Sequence, residues 1–172
     1  EYFDTAESPL NPYNRGYSFF VYGNLPLTLT RVAAETFGMD DLGTLKLFAR
    51  QMSALVDLLT IFVLYLIVSN LYGRRTALFA TAFSALTVMQ IQQSHFFTTD
   101  MYANLFMFLA IYFAVEIVNY RGAADYKPCI AGLMRSSLFW LSIGFGFMLG
   151  MAMASKINAA ALALMLPGAF AI

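Results

Sequence analysis

A histidine and a carboxylate stand together in one short polar island of this sequence, Ser94-His95-Phe96-Phe97-Thr98-Thr99-Asp100. His95 is the single histidine of the chain, and Asp100 falls where a helix should begin. Roughly eighteen uncharged residues precede the island (76–93) and about fifteen follow it (101–115). A polar knot between two apolar runs of that length reads as the tight turn of a membrane hairpin. Ionisable groups at a membrane boundary are costly enough to mark function. The island is therefore expected to be half of a catalytic site, with the other half partly outside this sequence.

Composition fixes the class of protein that must position these groups. Of 172 residues, 60% are hydrophobic and only 12% charged, where soluble domains are about a quarter charged. This is the composition of an integral membrane protein. The formal net charge is zero, so nothing points to nucleic acid. A lone cysteine, Cys129, excludes an internal disulfide and a cysteine metal cluster. The chain opens on Glu1-Tyr2-Phe3-Asp4 without a basic leader and ends inside an apolar run. Both ends look cut, and the chain is expected to be an internal piece of a larger membrane protein.

The fold class expected is an all-α integral membrane bundle of about four or five spans. Residues 1–43 read as an external loop with an interfacial helix, and 44–172 as the transmembrane bundle. The loop is rich in turn formers, including Pro9, Pro12, Asn11, Asn14 and Gly16. A helix from Pro26 carries Arg31 and Glu35, which suits an interface better than a span. Asp40 or Asp41 can cap the next helix. The spans are expected at about 44–73, 76–93, 101–119, 136–155 and 159–172. On the first, Arg50, Ser53, Ala54 and Asp57 share a stripe that faces other helices or a wet cavity. On the fourth, Ser142, Gly146, Gly150 and Ala154 form a small-residue ridge, expected to pack within the chain.

Arg74 and Arg75 lie at one short loop and Arg121, Lys127 and Arg135 at another, while the island between them has no Lys or Arg. The positive-inside rule makes those loops cytoplasmic. Arg15, Arg50, His95, Asp100 and Lys156 then share the non-cytoplasmic side of a multi-pass plasma-membrane protein.

The sequence resembles the GT-C glycosyltransferases, in particular the protein O-mannosyltransferase-like branch that depends on a phospholipid carrier. Four stretches carry the resemblance, in the family's order. They are Tyr2-Phe3-Asp4-Thr5 through Ser8-Pro9-Leu10-Asn11-Pro12-Tyr13-Asn14-Arg15-Gly16 with Phe20-Val21-Tyr22-Gly23; Arg50 with Ser53-Ala54-Leu55 and Asp57, ending at Leu71-Tyr72-Gly73-Arg74-Arg75; His95-Phe96-Phe97-Thr98-Thr99-Asp100; and Ala154-Ser155-Lys156 with Leu166-Pro167. The resemblance implies a fold with more membrane helices than this chain supplies. It also implies a sugar donor on a polyprenyl phosphate and transfer at the external face. The acidic motif that the family carries in its first loop is not seen, so this piece alone is not expected to be active.

Such transfer needs a base for the acceptor hydroxyl and positive charge for the leaving phosphate. Asp100 is the candidate catalytic residue, as base, orienter of the base or cation holder; the alternative is a helix N-cap. Lys156 is the candidate phosphate ligand, against a lysine that snorkels to the interface. Arg50 binds phosphate or orients first-loop carboxylates, or else pairs with Asp57. His95 touches the sugar or a metal, or is held by hydrogen bonds inside its turn. Arg15 and Asn14 border the donor pocket, or belong to a self-bonded loop. Gln90 and Gln93 are candidates to line the cavity. One His and one Asp are a weak metal site, so no metal ligand is assigned and a divalent cation stays an open cofactor. The partners implied are the polyprenyl-phosphate sugar, membrane lipids and other membrane subunits. Two other functions compete: a non-catalytic subunit that retains the fold within a larger complex, and a transporter, which would show an inverted repeat.

Overall fold

The computed structural model describes residues 6, 12–16, 22–39, 41–120, 134 and 136–171. Cys129, Arg121, Lys127, Arg135, Asp40 and most of the first-loop motif lie outside the described residues. After a 3-10 turn at Pro12–Arg15, the helices are α1 (Leu25–Thr36), α2 (Leu42–Tyr72), α3 (Arg74–Ala85), α4 (Val88–His95), α5 (Thr99–Val118) and α6 (Ser137–Ser155). A 3-10 segment, Ile157–Leu164, then leads into α7 (Met165–Ala171). The described chain is all-α, and α2, α5 and α6 contain segments long and apolar enough to cross a membrane.

Local chemistry sets the boundaries. Pro26 sits in the first turn of α1, where its missing N–H is harmless. The Asp41 carboxylate accepts the Gly43 amide at 3.2 Å and starts α2. Gly73 ends α2 at φ +88, a left-handed conformation that glycine adopts without strain, and α3 begins at the next residue.

The stretch 76–93 is not one helix. It breaks at Leu86 and Thr87, where Thr87 is extended. Thr76, Thr81 and Thr87 each turn a hydroxyl back onto a carbonyl four residues earlier, a habit that bends helices. The break frees α4 to set its own direction, and Gln90 Nε2 donates to Asp57 Oδ1 of α2 at 2.5 Å.

Helix α5 is the centre of the bundle. Its Met101, Tyr102, Leu105 and Val115 pack with Val56, Val63 and Ile67 of α2. Its Ala110 and Ala114 pack with Phe145 of α6. Helices α2 and α5 run parallel, because Ser53 Oγ donates to the Phe96 carbonyl at 3.1 Å and Asn70 Nδ2 to Glu116 Oε1 at 2.5 Å. Helix α6 runs the other way and returns the chain to the start of α5. Its close contact is at Gly144, where a Cβ would stand 2.8 Å from the Phe113 ring. The middle of the small-residue ridge is open in the described chain: nothing lies within 4 Å of a Cβ placed at Gly146 or Gly150. Residue spacing identified a close-packing surface but not which face of α6 uses it.

Candidate active site

Three segments converge at the N-terminal end of α5. The chain ahead of α1 is fastened to the end of α6: Tyr22 forms an antiparallel bridge with Lys156, and the Gly23 amide donates to the Ser155 carbonyl at 2.9 Å. This approach requires glycine, since a Cβ at Gly23 would fall 1.6 Å from the Ala154 carbonyl oxygen. Ser155 is fully buried beneath the joint. Helix α6 stops at Lys156, whose backbone is extended, so its side chain leaves the helix axis and reaches the first turn of α5.

There Lys156 Nζ donates to Asp100 Oδ1 at 2.6 Å. The two side chains are 30% and 35% exposed, so the pair is anchored in protein yet reachable. Asp100 is not an N-cap. Thr98 holds that position, and Asp100 lies in the first turn, where the helix dipole favours a carboxylate. The Tyr22 ring centroid is 5.5 Å from the ammonium, within range of a cation–π attraction. The hydrogen bond that Lys156 donates to Asp100 holds its ammonium above its ordinary 10.5, with burial pulling the other way. Lys156 therefore stays charged throughout the neutral range.

The pair opens on a cavity of about 450 Å³ whose lining includes Gln90, Gln93, Asn104 and Asn158. Asp100 also borders a second cavity of about 460 Å³, with Tyr22, Gln93, Thr98 and Thr99. In that wall the Thr98 hydroxyl is buried and has no hydrogen-bond partner among the described residues. A proton acceptor, a cation and several amide groups thus face shared space at the end of the bundle.

Other candidates lie elsewhere. His95 is exposed, and its Nδ1 is 2.7 Å from the Ile91 carbonyl. A carbonyl only accepts, so Nδ1 carries the proton, and the ring is held to its own helix. Arg50 is exposed on a separate cavity of about 490 Å³. It does not pair with Asp57, which instead accepts from Gln90. Of the stripe on α2, Ser53 and Asp57 are buried against neighbours, while Ala54 and Arg50 are exposed. Asn14 and Arg15 are exposed in the 3-10 turn and line neither cavity at Asp100. Among the described residues no three His, Cys, Asp or Glu side chains gather as metal ligands. Sequence reading singled out Asp100 and Lys156 separately but missed their contact and the Tyr22–Gly23 joint. The signals available were Gly23 itself and the interruption of an apolar run at Lys156.

Apolar helices long enough to span a bilayer define a membrane protein, with a charged pair and a polar cavity at a shared end of its helices. More particularly, the chain belongs to the dolichyl-phosphate-mannose-protein mannosyltransferase family, whose sequence model matches residues 37–172. That places it among membrane glycosyltransferases of the GT-C type. The matched region contains the island, Asp100 and Lys156, while Tyr22 and Gly23 precede it. No curated relative and no solved structure matches the chain.

Proposed function

We propose that the Asp100–Lys156 pocket is where a sugar leaves a polyprenyl phosphate for an acceptor hydroxyl, at the non-cytoplasmic face of the plasma membrane. The observation that carries this reading is the 2.6 Å contact of Lys156 Nζ with Asp100 Oδ1 at the wall of a polar cavity. It sets a base beside a cation, the two charges that the transfer needs. The acceptor oxygen bonds to the anomeric carbon as the bond from that carbon to the phosphate oxygen breaks. The hydroxyl proton passes to Asp100. The electron pair stays on the phosphate, where Lys156 offsets its charge as a compact, mobile donor. The same lysine occupies Asp100 Oδ1, so a phosphate that draws the ammonium toward itself also frees the base. Gln90, Gln93 and Asn104 supply amide groups of the kind that hold sugar hydroxyls.

Sidedness rests on charge. Arg74 and Arg75 follow the far end of α2, opposite to Asp100, and short basic loops stay cytoplasmic.

The test uses the full-length gene product and compares wild type with Asp100→Asn in membranes supplied with a labelled polyprenyl-phosphate sugar, at matched expression. Carrier-dependent transfer that collapses in the variant is the expected result. Transfer that survives unchanged overturns Asp100 as the base. No transfer by either form, with the protein co-purifying with other membrane proteins, replaces the enzyme reading with that of a scaffold subunit.

A further inference from the structure

A third cavity at this end of the bundle is built differently. It lies between α1, the start of α2 and the turn before α5, with a volume of about 490 Å³. Its walls include Leu27, Leu45, Phe96 and Phe97, and its charged groups are Arg31, Lys46 and Arg50. Leu27 and Phe96 are 50% and 55% exposed. Arg31 is already neutralised, its Nε lying 2.6 Å from Glu35 Oε1. Lys46 and Arg50 make no ion pair with any described residue. They stand one turn apart on α2, a spacing at which like charges repel. Two exposed cations beside apolar walls, with no carboxylate between them, fit a ligand that is both anionic and apolar.

The position of the cavity says which ligand. Helix α2 has 31 residues, or about 46 Å of helix, while a bilayer hydrocarbon core is about 30 Å thick. With the apolar stretch 58–68 inside the core, the first turns of α2 stand at the headgroup level. Lys46 and Arg50 then meet lipid phosphates, and Leu27, Phe96 and Phe97 meet the upper acyl chain.

We infer that this cavity holds an anionic phospholipid of the surrounding bilayer. Its headgroup phosphate lies on Lys46 and Arg50, and its chain lies on the apolar wall. The site shares no lining residue with the 450 Å³ cavity of Asp100 and Lys156, and it meets the 460 Å³ cavity beside Asp100 at Leu27. It includes Phe96, whose carbonyl accepts from Ser53, so the bound lipid also braces the turn that leads into Asp100.

The experiment uses the purified protein in mild detergent mixed with equal amounts of phosphatidylglycerol and phosphatidylcholine, with retained lipid counted by native mass spectrometry. Wild type is expected to keep phosphatidylglycerol in preference. Lys46→Gln and Arg50→Gln are each expected to lower that preference roughly fivefold, the factor for one basic residue near an anionic surface. Lys46→Arg keeps it, which separates loss of charge from loss of folding. Inorganic phosphate alone is expected not to displace the lipid, because it has no chain for the apolar wall. Asp100→Asn is expected to retain phosphatidylglycerol as wild type does, so failure of the transfer reading leaves this one standing. Equal retention of both lipids by wild type, an unchanged preference in a folded Lys46→Gln/Arg50→Gln protein, or displacement by phosphate would overturn the inference.

Discussion

The two basic cavities at one end of this bundle differ in what faces their cations. In one, Lys156 is hydrogen-bonded to Asp100 and lies over Tyr22. In the other, Lys46 and Arg50 stand beside apolar walls and no described carboxylate reaches them. A cation matched to a carboxylate is already oriented, and its partner is held in one geometry, which is what chemistry on a bound substrate requires. Unmatched cations hold nothing in place and attract whatever anion the environment supplies. Both cavities lie at the same end of the bundle; on the readings proposed above, the carboxylate is what separates a reacting site from a binding one.

The largest test of that contrast is Asp100→Asn. It keeps the shape of the side chain and removes the base, and transfer is expected to fall by about 10²- to 10⁴-fold. Binding of phosphatidylglycerol at Lys46 and Arg50 stays as in wild type. A variant that loses both would mean that the two cavities are one site.

Next in size is the joint that brings Tyr22 and Lys156 together. A Cβ at Gly23 would sit 1.6 Å from one backbone atom of Ala154 and 2.3 Å from another. Neither can swing aside like a side-chain tip. Gly23→Ala is expected to cost about 1–3 kcal/mol, as overpacking does, and to weaken donor binding by displacing the lysine. Gly146→Ala on the open face of α6 has nothing within 4 Å and is expected to be neutral or slightly stabilising. Thermal unfolding of both variants in one detergent checks this pair. Equal stability would show that the Tyr22–Gly23 segment is not seated on α6.

The ion pair also has a pH signature. Lys156 is raised above its ordinary 10.5, chiefly by its hydrogen bond to Asp100. The contact therefore contributes fully below that value and is lost as pH climbs through the raised one. Amine acylation of Lys156, followed against pH by peptide mass spectrometry, is expected to begin at higher pH in wild type than in Asp100→Asn. Identical profiles would mean that the pair does not persist in solution.

Much of the bundle was legible in the sequence. Helices α2, α5 and α6 begin and end within two residues of the apolar runs 44–73, 101–119 and 136–155, because long apolar runs bounded by polar residues leave little freedom in a bilayer. The break between α3 and α4 was not legible. Hydropathy averages across Leu86 and Thr87, and only the threonine hydroxyls, bonded to earlier carbonyls, show the bend. Asp100 and Lys156 were each visible as ionisable residues at a boundary, but their contact spans 56 positions and depends on α5 and α6 being antiparallel neighbours. Arg50 and Asp57 share a stripe in sequence. The rotation of α2 buries Asp57 against Gln90 and leaves Arg50 exposed, a choice that spacing alone cannot make.

The smallest expected effect lies in the turn that joins the two cavities. Ser53 is fully buried, and its hydroxyl donates to the Phe96 carbonyl at 3.1 Å. Phe96 faces the lipid-binding cavity, and four residues later the chain reaches Asp100. Ser53→Ala removes the donor and leaves that carbonyl without its partner from α2, an expected loss of about 0.5–1.5 kcal/mol. If the turn transmits strain between the cavities, the variant lowers both transfer and phosphatidylglycerol retention by small and similar factors. If the cavities are independent, stability falls while the transfer rate per folded molecule and the lipid preference hold. The second outcome is expected, because the Asp100–Lys156 contact is fixed separately by the Tyr22–Lys156 bridge and the Gly23–Ser155 hydrogen bond.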